Sequence, residues 1–434
     1  MVQAVAAAFE WGLFALMAYT FAVALAGFLP RRAPAPAPFR HRFLVLVPAH
    51  DEAAVVAHAV RAALRQDHPR PLFRVVVVAD NCSDDTAARA RAAGADAVLE
   101  RHDPRHLGKG HALAWARERA LALFPADAVC VFDADNVMAP GFLSAMDARL
   151  SAGARVLQGT IEAKNPDDSW VTQASALQHA VAARLFERSR ARLGFSALLN
   201  GTGYCVRTEV LRAWPPDPAC LTDDRELQLR LLRAGVRVEW APEAVTYDEK
   251  PATLAASWRQ RVRWARGHLD VARRHTLPLL WRALRHRDLA ALDGAVACLQ
   301  PSRSAVALLA GAVFAARLGA AALGHPAGAP HVPLAAWLPL LACPVAFPVA
   351  ALAAERVPAR VALRYGYTLL LQAAWAPLLV AGLLRRRDRR WGATRHTRSI
   401  SVEARLAAED VAASPGAGAG GAASRARRGG ESVA

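Results

Sequence analysis

Ala128-Val129-Cys130-Val131-Phe132, an apolar run of strand length, ends in Asp133-Ala134-Asp135. Two carboxylates one residue apart, where a buried strand runs out, are aimed together at one divalent ion and through it at a diphosphate. Turn formation or helix capping uses the same residues, so the pair alone leaves both readings open. Upstream, Phe43 to Val47 and Phe73 to Ala79 are β-branched-rich runs ending in polar residues, with an alanine-rich helical stretch, Ala53 to Leu64, between them. Ala97 to Leu99, a helix from about Gly110 to Leu123 and the Ala128 run continue the alternation. The pattern predicts an α/β fold with a mainly parallel sheet, whose ligands collect beyond the carboxyl ends of the strands. Pro48-Ala49-His50-Asp51-Glu52, Asp80 and Asp133 to Asn136 all fall there.

The chain is 434 residues long and 54% hydrophobic, with a mean hydropathy of +0.15. That suits one sizeable soluble domain plus membrane segments and is rare for a purely soluble enzyme. The net charge of +17 is mostly arginine near the ends of the apolar segments. It points to anionic lipid on the cytoplasmic side and away from nucleic acid. Six cysteines without paired spacing read as free thiols in a reducing compartment.

Trp11 to Leu29 is uncharged and of spanning length, and Arg31, Arg32, Arg40 and Arg42 follow it. A retained anchor with its N-terminus outside is expected, because no basic residue precedes the run as in a cleaved signal peptide. Ala33-Pro34-Ala35-Pro36-Ala37-Pro38 is a stiff spacer. Ser304 to Leu323, Val332 to Ala354 and Tyr365 to Leu384 are each near spanning length. Three crossings from the inside would leave Arg385, Arg386, Arg387, Arg389 and Arg390 outside, against the positive-inside tendency. Pro333, Pro339, Pro344 and Pro348 suggest that the middle segment is a re-entrant or broken pair, and Leu289 to Pro301 is a further candidate to enter the membrane. The number of crossings stays open.

Within the soluble region, Asp80 is placed to accept a hydrogen bond from a base N–H, although it equally suits a turn before a helix capped by Ser83 or Asp84. Gly108-Lys109-Gly110 puts a cation and a pliant backbone at a helix start, as a phosphate contact or as a plain loop. Leu199-Asn200-Gly201-Thr202-Gly203-Tyr204 is a tight polar turn that allows close backbone approach to a ligand, or an ordinary hairpin. Thr222 is a natural cap for a helix opening with Asp223 and Asp224, whose carboxylates either serve the helix dipole or take a proton from a sugar hydroxyl. Trp258, Gln260, Arg263 and Trp264 lie on a predicted helix from about Ala252 to His275. It reads as an interfacial helix that also serves the site, with Gln and Arg on a diphosphate and Trp on a sugar ring.

In this order the set resembles the membrane-bound inverting glycosyltransferases of family 2, the group that contains cellulose, chitin, hyaluronan and poly-N-acetylglucosamine synthases. The likeness runs from about Phe43 to His268. It implies a GT-A (nucleotide-diphospho-sugar transferase) domain that takes a UDP-sugar with Mg2+ or Mn2+. By the resemblance, Asp80 holds uracil, Asp133 and Asp135 serve the diphosphate and the metal, and Asp135 is the direct ligand. Pro48, His50, Glu52 and Lys109 join the nucleotide-sugar site, as do Gln260, Arg263 and Trp264, which match the family's Gln-x-x-Arg-Trp. Gly201, Thr202 and Trp264 face the acceptor. Thr222-Asp223-Asp224 stands where the family has Thr-Glu-Asp, which makes Asp224 the base and Asp223 a shortened neighbour.

The expected organisation is an anchor over 1–30, a linker over 31–42 and the GT-A domain over 43–250. Interfacial helices over 251–300, a membrane region over 301–386 and a tail over 387–434, disordered at its end, complete it. The expected setting is the inner membrane, multi-pass, with the catalytic domain in the cytoplasm. The expected product is a polysaccharide or glycolipid carrying glucose or N-acetylglucosamine, with a homo-oligomer or partner protein aiding export. Transfer of one sugar to a polyprenyl phosphate or other lipid, and a catalytically silent nucleotide- or lipid-binding scaffold, are the alternatives.

Overall fold

The computed structural model describes residues 2–30, 39–300, 302–325, 330–384 and 404. The Ala33–Pro38 spacer, the arginines after Leu384 and, apart from residue 404, the expected tail over 387–434 lie outside them. From the amino end, α1 (Val2–Leu25) leads to β1 (Phe43–Ala49), α2 (Val56–Leu64), β2 (Phe73–Asp80), α3 (Thr86–Ala92), β3 (Ala97–Arg101), α4 (Lys109–Leu123) and β4 (Ala128–Val131). Next come β5 (Val137–Met138), α5 (Phe142–Ser151), β6 (Val156–Ala163), α6 (Trp170–Ala182), a π-helical stretch Ala183–Arg188 and α7 (Ser189–Leu193). β7 (Tyr204–Arg207), α8 (Thr208–Ala213), α9 (Asp223–Arg233) and β8 (Glu239–Asp248) complete the soluble core. After it run α10 (Leu254–His286), α11 (Leu289–Leu299), α12 (Arg303–Ala322), α13 (Leu334–Ala354), α14 (Ala359–Ala362), α15 (Tyr365–Ala373) and α16 (Trp375–Leu384).

The eight strands form one sheet in the order β3-β2-β1-β4-β7-β6-β8-β5. From β3 to β4 every pairing is parallel, with Phe43 between Phe73 and Ala128. Beyond β4 the sheet is mixed, because β7 runs antiparallel to β4 and to β6, while β6 and β8 are parallel and β5 is antiparallel to β8. The reversal has a local cause. The chain reaches β7 from the carboxyl end of β4, so Tyr204 pairs with Val131 and the strand runs away from the site. That direction sets the Asn200–Gly203 loop beside Asp133.

Both faces of the sheet are covered. One packs Val45, Val47, Val75 and Val77 with Val56, Phe142 and Met146; the other packs Leu44, Leu46 and Val129 with Leu113, Leu227 and Leu231. Each such side chain contributes about 1.5–3 kcal/mol by leaving water, so the strand ends that carry polar residues are held rigidly. All six cysteines are free.

Four helices are long and apolar enough to cross a membrane: Gln3–Phe28, Arg303–Ala322, Leu334–Ala354 and Ala359–Leu384. The break expected from the prolines is not there. α13 continues through Pro339, Pro344 and Pro348, since an isolated proline forfeits one backbone bond and keeps a helical φ. α11, with 11 residues, is too short to cross, and α10 extends past His275 to His286.

Candidate functional site

The site is built where β1, β2 and β4 end. Asp80, buried at the end of β2, accepts from Arg101 Nη1 at 2.5 Å and from Asn81 Nδ2 at 3.0 Å. His50 Nδ1 lies 2.7 Å from the Asp80 carbonyl oxygen. A carbonyl only accepts, so this nitrogen carries a proton.

Past β4, the Lys109 ammonium at the start of α4 donates to the Asp133 carboxylate and to the Gly201 carbonyl. The Thr202 hydroxyl accepts from the Asp133 N–H at 3.1 Å and donates to Asn136 Oδ1. The Thr202 hydroxyl thus ties two loops together, and the residue also lines the cavity. Asp135 Oδ2 accepts from the Glu249 N–H at 3.1 Å, and its carbonyl accepts from Lys164 Nζ at 2.7 Å. Gly201 has φ +81°, and a Cβ there would sit 3.4 Å from Asp224 Oδ2. A side chain would touch the carboxylate at ordinary contact distance and strain the backbone.

Asp223 and Asp224 open α9, but Thr222 makes no capping bond through its side chain. The Thr222 side chain faces Gly267 of α10 instead, where an added Cβ would meet Thr222 Cγ2 at 2.4 Å. α10 thus docks directly on the helix start that bears the acids. Gln260, Arg263 and Trp264, at i, i+3 and i+4, share the face turned to the cavity. Arg263 Nη1 is 3.5 Å from the Leu221 carbonyl. Trp258 is instead exposed on the other side of the helix and does not reach the site.

Charge is graded across the cavity. Burial, and then the neighbouring Asp223 charge, push Asp224 up to about 6. Burial also raises Asp223. For Lys109 burial favours the neutral amine, yet the carboxylates of Asp133, Asp223 and Asp224 outweigh it and hold the ammonium above its ordinary range. Burial lowers Arg263 against the pull of the same three acids.

A second polar group was not singled out by its sequence. Lys250 Nζ is 2.6 Å from Asp248 Oδ1 and 3.1 Å from His179 Nε2. Burial, then the Lys250 charge, bring His179 down to about 4. Asp248-Glu249-Lys250 follows the apolar end of β8, so the strand-end rule would have found it; His179, inside α6, carries no local signal. Arg261 points away from Gln260, donating to Gln178 Oε1 at 3.2 Å and lying 5.6 Å over the Trp375 ring.

The donors at the end of β4 fit a hard divalent cation. They are carboxylate oxygens, and the ammonium on Asp133 shows that positive charge is held there. Among the described residues, the set of three potential ligands within 4.8 Å of one another is Asp51, Cys82 and Asp84, away from Asp133. Asp133 and Asp135 would therefore share a cation with a substrate diphosphate, as Mg2+ commonly requires. One cavity of about 1330 Å³ joins these parts. Pro48, His50, Glu52, Asp80, Asp133, Asp135 and Asp224 line one end, and Tyr19, Val306, Leu341, Leu369 and Trp375 of the apolar helices line the other.

Residues 41–267 match the sequence model described as Glycosyltransferase like family 2. An N-acetylglucosaminyltransferase of Rhizobium leguminosarum bv. viciae is 28% identical over 244 residues, 51% of this chain and 54% of the relative. A beta-monoglucosyldiacylglycerol synthase of Trichormus variabilis is 29% identical over 233 residues, 51% of this chain and 48% of the relative. The chain thus spans about half the length of the curated relatives it matches. Among solved structures, a mannosyltransferase from Pyrobaculum calidifontis in complex with GDP-Man and Mn2+ superposes with a TM-score of 0.56. It is 20% identical, and the match covers 89% of this chain and 99% of the other. The shared architecture is the GT-A fold.

Proposed function

The chain belongs to glycosyltransferase family 2, whose match takes in residues 41–267 of its 434, and from that premise we propose a membrane-bound, inverting, metal-dependent transferase. It moves glucose or N-acetylglucosamine from a UDP-sugar to a growing polysaccharide or glycolipid. The single observation that carries this reading is the cavity running from the acids to the apolar helices. A donor enters from water at one end, and an acceptor held near lipid reaches the same point from the other. Membership of an enzyme family removes the silent scaffold.

Asp80 accepts from the uracil N–H through the oxygen left free by Arg101. Asp133 and Asp135 would hold Mg2+ or Mn2+, which when bound neutralises the diphosphate. Lys109 and Arg263 face the same acids and offset the charge that grows on departing UDP. One Asp224 carboxylate oxygen takes the proton of the acceptor hydroxyl, which attacks the anomeric carbon from the face opposite UDP and gives a β-linkage. Trp264 supplies an aromatic face for the sugar.

The likeness to the Trichormus beta-monoglucosyldiacylglycerol synthase and the apolar mouth of the cavity favour a second reading, transfer of one sugar to a lipid. A long product would instead call for export aided by a second copy or a partner protein. UDP release by detergent-purified protein with Mg2+ or Mn2+, across a panel of UDP-sugars with the product sized, tests both. A long labelled product from one donor supports the polymerising enzyme, and a one-sugar lipid establishes the second reading. Silence with every donor and with added lipid acceptors counts against both.

A further inference from the structure

A helix crosses a bilayer only if its two ends lie on opposite sides, and side-chain contacts here fix the ends of the apolar helices. α1 passes into a short turn whose Gly27 carbonyl accepts from Arg184 Nη1 at 3.2 Å. The same guanidinium pairs with Glu355 at 2.7 Å, just past the end of α13. α1 and α13 therefore finish side by side against the soluble domain. α12 starts on that side, with Arg303 over the Phe186 ring. At the far end, Glu10 of α1 pairs with Arg317 of α12 at 2.7 Å and accepts from the Val332 N–H at 3.3 Å, immediately before α13. Trp11 Nε1 donates to the Pro330 carbonyl at 2.9 Å. α1, α12 and α13 thus alternate in direction.

The fourth apolar segment, residues 359–384, behaves differently. It begins among the inner ends, where Tyr365 packs with Ala24, Ala351 and Leu352. Thr368 Oγ1 then donates to the Ala174 carbonyl of α6 at 3.1 Å, and Leu371 packs on Val171 and Ala174. It ends on α10, where a Cβ on Gly382 would lie 3.0 Å from that of Ala265, next to Trp264. Both ends lie against the soluble domain. Among the described residues, the core cluster at the far ends, around Leu13, Ala310, Val332 and Trp337, contains no residue of this segment.

We propose that the chain crosses the membrane three times and that residues 359–384 form a strap along the inner lipid–water boundary, bound across α6 and α10. Its partner is the inner leaflet: Leu363, Leu370, Val380 and Leu384 are exposed on the strap, and Leu277, Trp281 and Leu284 make an exposed apolar stripe at i, i+4 and i+7 of α10. Its other face, through Leu369, Gln372 and Trp375, walls the lipid end of the cavity. The parity conflict in the sequence disappears, because Leu384, the last described residue of the strap, lies on the inner side. The strap rests on the membrane reading proposed above.

The test uses the full chain in sealed membrane vesicles of both orientations. Epitopes are placed after Gly153 in the soluble domain, after His325 between α12 and α13, and at the C-terminus, and are read by protease access. The expected result is that the Gly153 and C-terminal epitopes share one side and the His325 epitope takes the other. A C-terminal epitope on the His325 side would overturn the strap in favour of four crossings and leave the membrane reading intact. Release of the protein by alkaline carbonate would instead defeat the membrane reading itself. As a second measurement, an Ala265→Cys/Gly382→Cys pair should form a disulfide in oxidised membranes that neither single variant forms. No cross-link in a normally inserted protein would overturn docking of the strap.

Discussion

Asp133 and Asp135 line the same cavity as Asp223 and Asp224, yet the two pairs are held in opposite electrostatic conditions. Asp133 is partly exposed and touches an ammonium, and Asp135 accepts a backbone N–H. Asp223 and Asp224 are crowded together at a helix start, and burial raises both. The first arrangement keeps charge in place to meet a cation and a diphosphate. The second makes charge costly, and raises the Asp224 carboxyl to about 6. Environment, not residue type, divides the labour.

The largest expected effect breaks that division at its centre. Asp224→Asn keeps the shape and removes the proton acceptor, so turnover should fall by ~100-fold or more while UDP binding persists. Single-turnover transfer and UDP titration on the same preparation check it; near-normal transfer would remove Asp224 from the role. Asp135→Ala acts on the other pair. UDP affinity measured with Mg2+ should drop by about tenfold or more, the range seen when even an outer partner of a metal ligand is lost, and affinity without metal should change little. Equal affinity with and without metal in the unaltered protein would undo the assignment of this pair.

The pH profile sharpens the comparison with a smaller effect. A base works ionised, so kcat/KM should rise with pH through about 6 and level off above it. The Asp223 charge is one of the causes that raise Asp224. Asp223→Asn should therefore move that limb to lower pH without abolishing transfer. A limb that stays in place in Asp223→Asn would mean that burial alone sets it.

The two pairs also differ in how far they could be read beforehand. Asp133 and Asp135 announce themselves, because an alternating β-α pattern puts ligands at strand ends, and β1 to β4 obey it in parallel register. The acids of α9 were legible as a helix start, but not their crowding, which depends on α10 arriving from more than forty positions downstream. The reversal of β7 was not legible either, since α6 and α7 stand between β6 and β7 as helices would before a parallel strand, and a tight turn reads alike in both directions. The partners of the Thr202 hydroxyl were not legible, because a hydroxyl in a glycine turn carries no mark of them; Asn136 and the Asp133 N–H meet it only in three dimensions. The apolar helices were legible by length and composition, while which of their ends meet is seen only in the Arg184–Glu355 and Arg317–Glu10 contacts.

The smallest expected effect probes how the buried pair is held in place. Gly267 gives α10 room to lie on Thr222, and Gly267→Ala would put a methyl 2.4 Å from Thr222 Cγ2 and 2.6 Å from its Oγ1. Overpacking of this kind costs about 1–3 kcal/mol, so the melting temperature in detergent should fall and transfer should weaken without vanishing. Because the Thr222 side chain makes no capping bond, Thr222→Ala alone should be nearly neutral. Adding it to Gly267→Ala removes both close atoms and should restore most of the lost stability and rate, the Thr222 Cβ at 3.0 Å leaving a residue of strain. Full recovery of stability without recovery of rate would separate the packing of α10 on α9 from the placing of Asp224.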